Sequence, residues 1–166
     1  MHIQRKFNAF VDGHSTHLEV EGVTVPNVQD AVEELKAGGL MAPVDVPVGL
    51  QKLEAGIKIN TRQKALMSKL GLAMGTTTPI TFRSVNVSEV DGSQEDEVIS
   101  ITGRLNANNG GWEAQGVPKD DYKIGTITYY KHTINGEVVH HIDLMNMICV
   151  VNGEDQWASY RSGLGF

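Results

Sequence analysis

Two histidine clusters and one cysteine are the residues whose types could carry chemistry. "HSTH" places His14 and His17 three apart, and "HHID" places His140, His141 and Asp143 together. Imidazole and carboxylate groups are zinc ligands. Successive side chains of a strand point to opposite faces, however, so His140 and His141 cannot both serve one ion. His14 and His17 flank a turn and diverge if extended. The expectation is no metal, with the histidines exposed or hydrogen-bonded. Cys149, in "MNMICVV", is the single cysteine and forms no intrachain disulfide. Its apolar neighbours predict a buried, inert thiol. There is no G-x-S-x-G elbow to present a nucleophile and no phosphate-cradling glycine loop after a strand. "NANNGGW", Asn106 to Trp112, is glycine-rich but lacks a lysine to hold a phosphate, and reads as a flexible loop. "EVDGSQEDE", Glu89 to Glu97, carries five carboxylates in nine residues. It lacks the ordered ligand spacing of an EF-hand and reads as a solvated hairpin tip. Catalytic, cofactor-binding and metal-binding residues are therefore predicted to be absent, and the chain reads as a non-enzyme.

The totals bound the rest. A chain of 166 residues with 40% hydrophobic content suits one domain spanning 1–166. At this size roughly 70% of the unfolded surface is buried. Aromatics make up only 6%, so the core is expected to be aliphatic. A net charge of −6 makes a poor high-affinity binder of phosphate backbones, which needs clustered basic side chains. No window approaches 18 consecutive apolar residues, and "MHIQRKFNAF" lacks a signal-peptide core, so no membrane anchor is expected and folding in a reducing cytosol is.

The elements between these residues read as mainly β. "VDGHS", "VDGSQ", "INGEV" and "VNGEDQ" each set Asp-Gly or Asn-Gly after an apolar residue, the chemistry of tight hairpin turns. The last of them ends a strand and either turns a hairpin or leads into a helix. "LEAGIKIN" alternates, with Leu53, Ala55, Ile57 and Ile59 on one face and Glu54, Lys58 and Asn60 on the other. "ITFRSVNVS" alternates with a phase slip near Arg83 and Ser84 that suggests a bulge. "VISITGRL", "IGTITYYKHTI" and "EVVHHIDLMNMICVV" read as further strands. "NTRQKALMSKLG" predicts a short central helix with Asn60 or Thr61 as N-cap and Gly71 as terminator. "GEDQWASYRSGLG" predicts a short C-terminal helix stopped at Gly163. "PNVQDAVEELKAGG" has helical spacing at Val28, Ala31, Val32 and Leu35.

One stretch fits none of these. "LKAGGLMAPVDVPVGLQ", Leu35 to Gln51, has three glycines and two prolines, too many for a regular central strand or a helix. It is also too apolar for an ordinary solvated loop.

Taken whole, the sequence resembles the major tail tube proteins of contractile-tailed phages and the related tubes of R-type pyocins. The motifs run in order: "NAFVDG", "VTVPNV", "AGGLMAPVDVPVGLQKLEAGI", and above all "YYKHTINGEVVHHIDLMNMICVVNGEDQWASYRSGLGF". The family's glycine-glycine-methionine is interrupted here by Leu40, and the 106–121 loop has no firm counterpart. The resemblance implies a β-sandwich or barrel-like tail-tube fold with a short central helix and a short C-terminal helix. It implies a subunit that self-assembles into stacked hexameric rings, whose strands join neighbouring subunits into a continuous tube barrel. It implies a strand rather than a helix over 28–36, paired with the strand after the loop. Its partners would be copies of itself, a contractile sheath protein, baseplate, tail terminator and tape measure proteins, and a passing genome if the particle is a phage. The expected location is a virion tail or tail-like particle assembled in the bacterial cytoplasm. Residues 37–49 become an extended inter-subunit loop, with Gly38, Gly39, Leu40, Met41, Ala42, Pro43 and Val44 as contacts. Glu54 and Lys58 would face a polar, net-acidic lumen. The segment 37–49 would be mobile in a free subunit and ordered in the tube. The other readings are the tube of a type VI secretion-like system and, from the alternating strands, a monomeric ligand-binding β-barrel.

Overall fold

The computed structural model describes residues 1–166. Its elements, in chain order, are β1 (His2–Val11), β2 (His14–Ser15), β3 (Val20–Thr24), β4 (Asp30–Leu35), β5 (Val44–Leu50), β6 (Ala55–Ile59), α1 (Lys64–Met67), β7 (Thr78–Ser88), β8 (Gln94–Asn109), β9 (Asp120–Ile134), β10 (Glu137–Asp143), β11 (Ile148–Val151), β12 (Glu154–Asp155) and α2 (Ala158–Leu164). The fold is mainly β, as expected. One antiparallel sheet runs β12-β11-β10-β9-β8-β7-β1-β2. The first half of β9 leaves β10 behind and pairs with β6, which pairs with β3. The strands thus curl around one core. Between β1 and β3 a cleft of about 380 Å³, lined by Gln4, Phe7, Val23 and Phe82, leaves the curl open.

Period-two alternation builds that core row by row. Val11, Ile80, Ile101, Tyr130, Ile142 and Cys149 stand opposite one another across six strands, and all six are buried. Cross-strand partners this close form one apolar ridge. Ile57, Ile59, Leu105, Tyr122 and Ile124 fill the other wall, and Leu66 of α1 closes over them. Buried side chains fill the space between the two walls. The chain bends where Thr102 and Arg104 of β8 face Tyr129 and Gly125 of β9, a register break with Thr126 at φ +50°.

Three hairpins turn on Asp12-Gly13, Asn135-Gly136 and Asn152-Gly153, each with positive φ at both residues. That twist matches the twist of the flanking strands. The Asn152-Gly153 signal therefore turns a hairpin. At Asp91-Gly92 only the glycine has positive φ, and the turn is wider. Glu89 and Asp91 lie at this solvated turn, but Glu95, Asp96 and Glu97 of the acidic run stand on β8.

Several local expectations are corrected. The central helix is a single turn, Lys64–Met67, capped by Gln63 and Ser68 rather than by Asn60, Thr61 and Gly71. Asn60 is spent on the sheet, its N–H donating to Glu19 O, and Gly71 N–H is drawn to Leu105 O. The C-terminal helix runs through Gly163 and ends at Gly165, whose left-handed φ of +82° supplies the cap. The phase slip at Arg83-Ser84 is not a bulge in β7, which pairs with β8 without a break. The extra residue is Arg5 of β1, between Gln4 and Lys6. Val85 and Val87 continue the alternation of β7 onto the other face, where both are half-buried. Asn106 to Asn109 belong to β8, so only 110–119 is a loop. Residues 30–35 form a strand despite their helical spacing, paired with β5.

Candidate assembly surfaces

The stretch that fitted no rule is half of a two-stranded ribbon. β4 and β5 pair only with each other, from Asp30 opposite Leu50 to Leu35 opposite Val44. Pro47 is tolerated because the ribbon has free edges and its register slips beside it, between Ala31 and Val32. The expected loop over 37–49 is therefore a turn, 36–43, followed by a strand. Gly38, Gly39, Leu40, Met41, Ala42 and Pro43 form the turn, where Leu40 N–H donates to Ala37 O at 3.0 Å, and Val44 opens β5.

Both faces of the ribbon meet solvent. Leu35, Val44 and Val46 are exposed along one face, Val32 and Pro47 along the other, and Leu40 and Met41 at the tip. A lone two-stranded hairpin is marginally stable at best in water. Its exposed valines and leucines form an apolar surface of the kind that marks interaction sites. Only its base is seated: Val28 and Leu50 pack on the core. A groove of about 860 Å³ separates that base from α2, lined by Val48, His140, Cys149 and Trp157 among others.

Glu54 and Lys58 stand on the polar face behind β6. Lys52 Nζ lies 2.7 Å from Glu54 Oε1, and that bond holds the Glu54 carboxyl below its ordinary value. Lys58 pairs in register with Asp121, and Gly56 with Lys123. This face is charge-mixed rather than net-acidic, with Lys52, Lys58 and Lys123 against Glu54 and Asp121.

The histidines separate as strand geometry requires. His140 stacks on His132 at 6.1 Å, and His132 Nε2 lies 2.8 Å from Glu97 Oε1. Burial and the neighbouring His132 push the His140 pKa down. His141 lies on the opposite face, edge-on to Tyr129 at 5.4 Å. His14 reaches Gln63 Oε1 at 3.1 Å. No three His, Cys, Asp or Glu side chains converge on one point. Cys149 is buried, and burial raises its pKa.

Sequence reasoning missed a lock at the 110–119 loop. Asp120 is 0% exposed and takes two hydrogen bonds from Arg62, from Nε and Nη2, each 3.0 Å. Gly110 N–H donates to the same carboxylate at 3.1 Å, and Arg62 Nη2 also donates to Gly110 O at 3.0 Å. The Arg62 guanidinium holds the Asp120 carboxyl below its ordinary range. A Cβ at position 110 would sit 2.3 Å from Lys119 O, so only glycine lets the loop close. Arg62 and Asp120 are 58 residues apart, so no local pattern reveals them. The loop they close exposes Trp112 at 89%. One of only two tryptophans, set after two glycines, was the available signal.

The sequence and the fold are similar to those of known proteins. The family model described as phage tail tube protein FII matches residues 2–165. The tail tube protein of Escherichia phage P2 is 26% identical over 161 residues, covering 95% of this chain and 94% of that protein. The major tail tube protein of Serratia phage KSP20 is 26% identical over 153 residues, covering 91% and 88%. Among solved structures, a chain of the PVC extracellular contractile injection system, sheath–tube complex in the extended state, superposes with a TM-score of 0.54. It shares 8% identity, over 77% of this chain and 88% of that one. A chain of the sheath/tube terminator of the same system gives 0.52 at 8% identity, over 78% and 93%. At that identity these likenesses speak for the fold alone. With the family model spanning all but the terminal residues, the chain belongs to the phage tail tube protein FII family.

Proposed function

We propose that this tube subunit closes with five copies of itself into hexameric rings, and that the β4–β5 arm is a contact made only between copies. As a member of its family, the chain is a structural subunit of the tail tube of a contractile phage tail or related injection particle. The observation that carries the assembly reading is the ribbon of exposed valines and leucines on free edges. If three or four of these side chains are buried, each contributes about 1.5–3 kcal/mol before ordering costs. Repeated around rings and along a stack, such contacts make a stiff polymer.

Residues 1–166 act as one tube domain with the arm reaching a neighbour. The sheath and the terminator named with the two solved relatives are the classes of partner that fit this subunit's outer surface and tube end, with baseplate and tape measure proteins completing the particle. Glu54 and Lys58 line the channel in this reading. Lys52 pairs with Glu54, and Asp121 stands opposite Lys58 in register, so part of the positive charge on this face is offset against a passing polyanion. A second lumen surface competes. The solvent side of β7, β8 and β9 carries Arg83, Ser100, Thr102 and Lys131 on longer strands.

Size-exclusion chromatography with light scattering, followed by negative-stain imaging, tests the reading. Six-fold rings or tubes are expected. A strictly monomeric protein at high concentration under every assembly condition would contradict it. Thiol labelling of Lys58→Cys and Ser100→Cys tubes with ends blocked separates the two lumen surfaces.

A further inference from the structure

We propose that the 110–119 loop, with Trp112 at its exposed end, is the receiving surface for the β4–β5 arm of the next copy along the stack. This rests on the stacked-tube reading above and adds the partner of the arm. The arm and the loop leave opposite ends of one ladder. β3 pairs β6 from Val20 opposite Ile59 to Thr24 opposite Gly56, and β6 pairs β9 from Ile59 opposite Asp120 to Ala55 opposite Ile124. The arm departs after Thr24 and returns before Ala55. The loop closes at Gly110 and Asp120, beside Ile59, at the other end. A surface at each end of one subunit is the arrangement a head-to-tail stack needs, since such an interface joins two different patches and does not close on itself.

The two ends are also chemically matched. The arm exposes Leu40, Met41 and Val44. The receiving end exposes Trp112 and Val117. The loop and Arg62 border an open hollow of about 640 Å³, lined by Arg62, Trp112, Glu113, Val117 and Lys119, with room for side chains of the arm tip. The Arg62–Asp120 lock fixes the base of the loop, so presenting Trp112 costs little ordering on contact. A tryptophan held on a fixed base in this way has the make-up of an interface anchor.

The experiment mixes full-length Met41→Cys subunits with Trp112→Cys subunits, assembles tubes, and oxidises them mildly. A heterodimeric cross-link is expected in the mixture and none in either variant alone. In parallel, Trp112→Ser is expected to raise the critical concentration for tube growth about tenfold or more, with the thermal melt of the free subunit unchanged. Normal tube growth from Trp112→Ser, together with no heterodimer in the mixed assembly of the two cysteine variants, would overturn the assignment of the loop while leaving stacking intact. Wild-type protein that never forms tubes would overturn the stacked-tube reading and this inference together.

Discussion

β3–β6 and β4–β5 are both short antiparallel ladders built on valine and isoleucine or leucine, yet only one of them hides its apolar side. Ile57 and Ile59 of β6 are 1% exposed, with Tyr122 and Ile124 of β9 as neighbours. In β4 and β5 only Ala31 and Leu50 are even half-buried. Strand chemistry is the same in both, so the difference lies in what the fold supplies as cover. β6 has β9 on its other edge, whereas the arm has free edges on both sides. A strand pattern encodes a face to be buried but not whose surface buries it.

That contrast breaks most sharply under charge. Ile57→Asp places a carboxylate in the core and is expected to cost more than about 4 kcal/mol, so the chain does not fold. Leu40→Asp with Met41→Asp is expected to change subunit stability by less than about 0.5 kcal/mol, as exposed positions do, while abolishing ring closure or stacking. Urea melts and negative-stain images check both outcomes.

The lock gives the next largest effect. Arg62→Ala leaves the fully buried Asp120 with a backbone donor and no cation, and is expected to lower the urea midpoint of the subunit. Because Asp120 titrates below its ordinary value of 3.8 when folded, its contribution is present above that value and is lost as pH falls through the lower folded one. An Arg62→Ala subunit should therefore show a flatter acid limb in urea melts across that range. An unchanged limb would mean that the pair carries no net weight.

The smallest effect is at the base of the arm. The His140 pKa lies below the ordinary 6.5, so the unfolded chain binds its proton more readily, and stability falls as pH drops below 6.5. Thermal melts between pH 7.5 and 5.5 should show a modest decline that His140→Leu removes. A decline of the same size in His140→Leu would place its source elsewhere.

The strands, the hairpin turns and the buried Ile57 and Ile59 face were legible because period-two alternation and Asn-Gly dipeptides are local signals. The helix ends were not, because Asn60 and Gly71 have long-range backbone partners, Glu19 and Leu105, that no cap rule contains. Local period misread 28–36 as helical. Whole-chain resemblance corrected it, since the pairing of Val32 with Pro47 lies outside any short window. The exposed tip residues were legible as apolar residues in a segment too broken to bury them. The Arg62–Asp120 lock was not, since each half looks like an ordinary surface charge until the fold joins them.

Hydrogen exchange on the free subunit and on the assembled tube tests the central claim most directly. The β6, β8 and β9 amides should be protected in both states. Residues 30–50 should exchange fast in the subunit and become strongly protected in the tube, because ordering and burying the arm needs the neighbouring copy. Equal, strong protection of 30–50 in both states would show that the arm is held by its own subunit, and would contradict the account.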